Sequence, residues 1–162
     1  MALIIVEGPD AVGKTTLINQ LASELNLPIV KSYKPASRSD IYAFSNWANA
    51  CPRTPICDRH AAISDLVYGP VIRGTTPSSL SLAQATIRNN YLIHVNPGKD
   101  VALKHLQDQK QMDGVIETYS QLYDGYEKLM EQLTPDFIYN WTNPRAFNVL
   151  VNNLVHFLER SK

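Results

Sequence analysis

Residues 3–17 read LIIVEGPDAVGKTTL: a short apolar run, a glycine-containing turn, then a lysine and two threonines. The segment Gly8-Pro9-Asp10-Ala11-Val12-Gly13-Lys14-Thr15 fits G-x-x-x-x-G-K-[ST], the pattern of a phosphate-binding loop. Each position has a physical job. Glycines let the backbone curl so that successive N–H groups point inward as an anion nest. The helix opening near Gly13 adds its positive end. Lys14 is a point charge for the β- and γ-phosphates, the Thr15 hydroxyl suits Mg²⁺, and Thr16 suits the α-phosphate. The motif lies where it must, between a strand pattern and a helix pattern. The implied ligand is a nucleoside triphosphate.

Working outward, Leu3 to Val6 reads as a buried strand, and Leu17, Ile18, Leu21 and Leu25 as a helical stripe. Pro28 to Val30 predicts a second strand, and about Asp40 to Ala50 a helix. Pro55 to Cys57 predicts a third strand ending on Asp58-Arg59-His60. The helix after it is interrupted at Tyr68-Gly69-Pro70. Ser78 or Ser79 can cap a helix running to about Asn89, and Tyr91 to Val95 is a fourth strand. Helices follow over 100–109 and 115–133 around a polar hinge at 111–114. A fifth strand, Phe137 to Tyr139, precedes an amphipathic helix marked by Phe147, Leu150, Val151, Leu154, Val155 and Leu158. Alternation of this kind, with short continuously apolar strands, predicts an α/β fold. Its five-stranded parallel sheet carries helices on both faces. Ligands in such folds gather at the carboxyl ends of the strands, where Gly8, Asp58 and Asn96 should lie.

At 162 residues the chain reads as a single domain, 1–162, with room for a real core. Fifteen basic and fifteen acidic side chains cancel, so no overall field draws it to nucleic acid or anionic lipid. Two cysteines, Cys51 and Cys57, are too few for a disulfide framework and lack zinc spacing; Cys57 reads as a buried small hydrophobe. No apolar run is long enough to span a membrane, and MALIIVEG lacks a basic leader region. A cytoplasmic protein without a membrane partner is expected, and a homodimer stays open.

Asp58, at the end of a strand, would face the loop and hold the metal's water shell or orient the attacking oxygen. Arg59 beside it suits the charge of a transferring phosphoryl group. The plain alternative for the pair is a surface ion pair. His60 follows as a neighbour of the site, whereas His94 and His156 read as core or surface.

Together these residues resemble a family. Glu7-Gly-Pro-Asp-Ala-Val-Gly-Lys-Thr15 is similar to the E-G-x-D-x-x-G-K-[ST] loop of thymidylate kinases. Asp58-Arg59-His60 resembles their D-R-[YH], and Ser64, Tyr68, Arg73 and Gly74 their S-x-x-x-Y…R-G helix. The run 58–74, DRHAAISDLVYGPVIRG, looks most like the small thymidylate-kinase-like proteins of bacteriophages. The resemblance implies the P-loop NTPase fold of a kinase using ATP and Mg²⁺, with a lid about 104–114. It departs in three places. Ser64 and Tyr68 sit one residue later after Asp-Arg than in typical thymidylate kinases. Lys34-Pro-Ala-Ser-Arg38 stands where the family has R-E-P-x-x-T, and the lid region has no arginine, so transition-state charge falls to Lys14, Arg59, Mg²⁺ and Lys110.

The resemblance also assigns an acceptor side. It implies that Asp10 meets the acceptor's sugar hydroxyl, and an aromatic of the 41–50 helix, Phe44 or Trp47, stacks the acceptor base with Asn46 reading its edge. Core packing is the alternative for both rings. Arg38 or Lys34 would replace the missing arginine, and Tyr68 and Arg73 would close the pocket. The donor adenine would rest near Asn143-Pro-Arg145, with Arg145 stacking on it, unless Pro144 simply starts a helix. The leading expectation is a small-molecule nucleotide partner, a deoxynucleoside monophosphate. The rivals are a kinase acting on 5-hydroxymethyluracil in phage DNA, with Lys31, Lys34, Arg38 and Arg53 as a groove, and a nucleotide switch without transfer.

Overall fold

The computed structural model describes residues 2–108 and 115–161. Lys110, the hinge 111–114 and most of the expected lid lie outside the described residues. The elements run β1 (Ile4–Glu7), α1 (Lys14–Leu25), β2 (Ile29–Lys31), α2 (Arg38–Asn49), β3 (Ile56–Asp58), α3 (Ala61–Tyr68), a π-helical turn (Gly69–Arg73) and α4 (Leu80–Ile87). They continue with β4 (Tyr91–Val95), α5 (Lys99–Asp108), α6 (Val115–Leu133), β5 (Phe137–Tyr139) and α7 (Ala146–Arg160).

All five strands are parallel, in the order β2-β3-β1-β4-β5. Central β1 pairs Ile4 with both Ile56 of β3 and Tyr91 of β4. Its alternation decides the layers. Ile4 and Val6 pack with Leu17, Ile18 and Leu21 of α1 and Leu150 and Leu154 of α7. Leu3 and Ile5 face the other way, onto Phe44 and Ala48 of α2, Ile63 and Val67 of α3, and Tyr126 and Leu129 of α6. Both faces are therefore covered, which is why the strands read as unbroken apolar runs.

Local chemistry sets the boundaries. The α2 helix starts two residues earlier than the apolar pattern implies. Ser37 and Asp40 form a reciprocal capping box that fixes the first turn there. Ser79, rather than Ser78, caps α4 and accepts from the Leu82 N–H. At α1 the chain leaves through Asn26 in the left-handed conformation, a residue that tolerates it. The interruption at Tyr68-Gly69-Pro70 is a wide π turn in place of a break.

From β1 the chain passes outward to β2, and from β3 it crosses to β4 on the far side of β1. The connections leaving β1 and β3 thus diverge, opening a crevice at their carboxyl ends. The Gly8 loop and the Asp58-Arg59 step both border it. Arg53 does not join them. It donates to the Asn26 carbonyl, ahead of β2, at the opposite edge of the sheet. The expected basic groove of Lys31, Lys34, Arg38 and Arg53 therefore loses one of its four members. Among the described residues no helix is long and apolar enough to cross a membrane. Cys57 is fully buried, and burial pushes its thiol up.

Candidate active site

The loop between β1 and α1 takes left-handed backbone at Ala11 and Gly13 (φ 62° and 97°), which turns successive N–H groups toward one point. Asp10, Ala11, Gly13, Lys14, Thr15 and Thr16, with His105 from α5, line a cradle of about 190 Å³. Pro9 and Val12, also in the loop, are buried and stand outside this lining. Lys14 is nearly buried. Burial and then Arg59 hold its ammonium below its usual range, while Asp58, Asp10 and Glu7 push the other way. The Lys14 Nζ sits 3.7 Å from Asp58 Oδ1.

Arg59 is the hub. It leaves β3 in the left-handed conformation (φ 65°), uncommon for an arginine and a mark of imposed geometry. Its Nε donates to the Gly8 carbonyl at 3.2 Å, and its Nη2 donates to Asp10 Oδ1 at 2.8 Å and the Tyr68 hydroxyl at 2.7 Å. Burial alone would weaken its charge; Tyr126, Tyr68, Asp10 and Glu7 together raise its affinity for the proton. One guanidinium therefore spans the phosphate loop and the helix behind the next cavity.

Glu7 supports this hub from below. It is fully buried at the end of β1, accepting from the His60 N–H at 2.7 Å and from the Tyr126 hydroxyl at 2.9 Å. Burial raises its carboxyl to about 7, against the pull of the His60 N–H, Arg59, Tyr126 and Lys14. His60 serves the structure, its Nδ1 accepting from the Ala62 N–H and so capping α3. Its Nε2, which then carries the proton, donates to Ser45 Oγ on α2. Burial lowers its pKa to about 4, so the ring stays neutral.

Beyond Arg59 lies a cavity of about 230 Å³, walled by segments that include Ser32 to Pro35, Tyr68 and the π turn. Asp65 is buried at its side, held by Arg73 and Thr76. Ser32 Oγ is buried there without a hydrogen-bond partner among the described residues. Lys34, Tyr68 and Arg73 reach this cavity; Arg38, exposed at the start of α2, does not. Phe44 is corrected to core: at 0% exposure, enclosed by Tyr33, Trp47 and His60, it has no face for a base. Trp47 is 53% exposed but also stands outside the cavity, and Tyr33 occupies the wall instead.

A third cavity, of about 430 Å³, adjoins the phosphate cradle and is lined by residues including Thr16, Gln20, Trp141, Asn143 and Phe147. Arg145 lies outside this lining, exposed at the start of α7. The sequence reading missed Glu7, Ser32, Tyr33, Asp65 and Trp141 as site residues. Glu7 had a signal, a charge closing a strand that is otherwise wholly apolar, and Asp65 had one in the 58–74 run that carries the resemblance.

For Mg²⁺, the Thr15 hydroxyl is exposed in the cradle and Asp58 ends the neighbouring strand. The described residues contain no cluster of three or more His, Cys, Asp or Glu that would hold a metal alone. That donor set suits an ion which keeps most of its water and takes the rest of its ligands from phosphate.

No family model matches the chain, and no curated protein sequence matches it. Solved structures do. The YorR protein from Bacillus subtilis, determined in complex with phosphorylated GDP, superposes with a TM-score of 0.77 at 19% identity, covering 98% of this chain and 96% of that one. Deoxyadenosine kinase from M. mycoides, with products dCMP and a flexible dCDP bound, gives 0.66 at 15% identity, over 94% and 98%. Shikimate kinase from Bacteroides thetaiotaomicron gives 0.54 at 16% identity, over 98% of each chain. These likenesses show the fold, a P-loop NTPase fold of the α/β class.

Proposed function

We propose that this protein is an ATP- and Mg²⁺-dependent kinase that phosphorylates a small nucleotide, a deoxynucleoside monophosphate. The observation that carries the reading is Arg59, bonded at once to Gly8 and Asp10 of the loop and to Tyr68 at the second cavity. A cation there lies where charge builds on a phosphoryl group passing between the two sites. The donor's phosphates would rest on Gly8 to Thr16, and Thr15 with the water shell held by Asp58 would bind Mg²⁺, which neutralises phosphate charge. Asp58 would also keep Lys14 charged. An acceptor oxygen attacks the γ-phosphorus in line, and the bridging oxygen leaves with ADP.

The electrostatics of the second cavity favour an acceptor that is already anionic. The acid in its lining, Asp65, is engaged by Arg73, the neighbouring Asp10 of the phosphate cradle is engaged by Arg59, and Lys34 is exposed on its wall. A monophosphate brings its own anionic oxygen and needs no general base. A hydroxymethyl group on DNA does need one. The unpartnered Ser32 hydroxyl gives such an acceptor a further polar partner. Deoxyadenosine kinase and YorR were both determined with nucleotides bound, which supports a ligand of the nucleotide class.

The test offers γ-labelled ATP and Mg²⁺ with deoxynucleoside monophosphates, nucleosides, and DNA with or without 5-hydroxymethyluracil. Label in a monophosphate is expected. Label only in modified DNA, or in no acceptor while ATP still binds, refutes the reading in favour of the DNA kinase or the switch.

A further inference from the structure

Among the described residues, two buried side-chain oxygens have no hydrogen-bond partner, Ser32 Oγ and the Tyr119 hydroxyl. Ser32 stands in the wall of the second cavity. Tyr119, on α6, lines none of the three cavities and is only 3% exposed. A buried hydroxyl without a partner lowers stability, so its presence calls for a reason.

Tyr119, Tyr123 and Tyr126 stand at i, i+4 and i+7 of α6 and form one inward stripe. The Tyr126 hydroxyl donates to Glu7, the last residue of β1, and the Tyr123 hydroxyl to Asn96, just past β4. The helix runs against the strands. It leads to β5, which enters the sheet where the Asp136 N–H meets the Leu92 carbonyl, near the start of β4. Seven residues before Tyr126, Tyr119 therefore stands about 10 Å farther out, beyond the strand ends. That is the layer of the phosphate loop. Tyr119 packs there in the cluster that holds Val12 of the loop and Ala102 and Leu106 of α5. Burial raises its hydroxyl well above the usual range, Tyr123, Tyr68 and Asp10 push the same way, and Arg59 pulls back. The proton stays on the oxygen, and Asp10, Arg59 and Tyr68 all lie within electrostatic reach.

A hydroxyl that keeps its proton is a donor, and the partner it lacks is an acceptor oxygen. The surroundings decide which kind. Lys14, Arg59 and the loop's N–H groups make this layer an anion site, and its acids, Asp58 and Asp10, are paired with Lys14 and Arg59. We infer that Tyr119 is a catalytic residue of the proposed transfer, its hydroxyl donating to a non-bridging oxygen of the phosphoryl group as that group passes from donor to acceptor. The proton remains on Tyr119 throughout. The bond from acceptor oxygen to γ-phosphorus forms, the bond from γ-phosphorus to the bridging oxygen breaks, and ADP leaves with that electron pair. A neutral donor here supplies part of the stabilisation that an arginine-free lid region does not. The inference rests on the kinase reading for where the phosphoryl group goes, not for what the hydroxyl meets.

Tyr119→Phe deletes the hydroxyl and keeps the ring. Because the hydroxyl has no partner in the free protein, the variant should unfold in urea at a midpoint equal to or above the parent's. Transfer from γ-labelled ATP to a deoxynucleoside monophosphate should fall about thirtyfold in kcat, with each KM changed less than about threefold. By calorimetry, Mg·ADP should bind within about twofold of the parent. Mg·ADP with aluminium fluoride, which imitates the phosphoryl group in transit, should bind at least about tenfold more weakly. Tyr123→Phe removes a partnered hydroxyl from the same stripe, so it should lower the urea midpoint and leave transfer within about threefold. A lower urea midpoint in Tyr119→Phe, an unchanged kcat, or a loss confined to KM overturns the inference. So do equal losses for the two ADP complexes, or an equal fall in transfer in Tyr123→Phe. If the parent labels no acceptor while Tyr119→Phe selectively loses the aluminium fluoride complex, the kinase reading falls and the phosphoryl contact stands. Transfer that Tyr119→Phe leaves untouched has the opposite meaning. If the parent binds neither ADP complex, both fall.

Discussion

The two sides of Arg59 are built differently. The phosphate cradle comes mostly from one continuous segment, Asp10 to Thr16, and its ligand groups are largely backbone N–H. The second cavity comes from the ends of β2 and β3, from α3 and from the π turn, and side chains make its surface. A backbone cradle depends on a few glycines and a turn; a side-chain cavity depends on which residues happen to meet there. On the proposed reading, the first therefore fixes what kind of donor is held, and the second is free to change its acceptor.

Removing the cradle's charge should break both sides at once. Lys14→Ala is expected to lower phosphoryl transfer to any acceptor by about a thousandfold or more, read by release of labelled phosphate to product. Arg59→Lys keeps a charge but cannot bond Gly8, Asp10 and Tyr68 together. Transfer should fall by about a hundredfold, with a smaller change in ATP affinity. Equal losses in both would reduce Arg59 to a donor residue.

The support beneath the hub shows in pH. Glu7 titrates at about 7 in the folded chain, above its ordinary 4.5, so its contribution to stability is complete below 4.5 and lost as pH rises through 7. Glu7→Gln has no such loss. Relative to the parent it should gain on the order of 2–3 kcal/mol between those limits, measured as paired denaturant melts. A constant difference across the window would show that the carboxyl titrates normally. His60 and His94 shift the other way, to about 4, and cancel in this comparison because both proteins carry them.

Smaller changes sharpen the division. Asp10→Asn weakens the anchor of Arg59 on the loop's outer edge and should raise the acceptor KM about tenfold. ATP affinity should change less than about twofold, and matching losses would place Asp10 on the donor side. Arg145→Ala should move ATP affinity less than about twofold, because the residue stands outside the donor-side cavity; a tenfold loss would return the adenine to it.

How much of this was legible in the sequence follows from the same contrast. Gly8, Gly13, Lys14 and Thr15 announce the cradle because all are close in sequence and each has one geometric reason to be there. The five strands were readable because both faces of the sheet are buried, so an apolar run is enough. Phe44 and Trp47 share a helix, but periodicity does not say which of two aromatics turns inward; packing against Tyr33 and His60 decided it. Arg38, like Lys34, was a candidate replacement cation because Lys34-Pro-Ala-Ser-Arg38 stands where the resembled family has R-E-P-x-x-T, yet the Ser37 cap commits Arg38 to the first helical turn and leaves Lys34 at the cavity. Trp141 carries no pattern, since its partner, Val12, is 129 residues away.

The π turn at Gly69–Arg73 has an evolutionary reading. A π turn carries more residues per turn than an α turn. An insertion or deletion of one residue in 69–73 that the wide turn does not absorb would swing Arg73 by about 100°, away from Asp65. The charge balance of the second cavity would then change without any side chain being replaced. Insertions and deletions here, as much as substitutions, are a route by which this scaffold can exchange one acceptor for another.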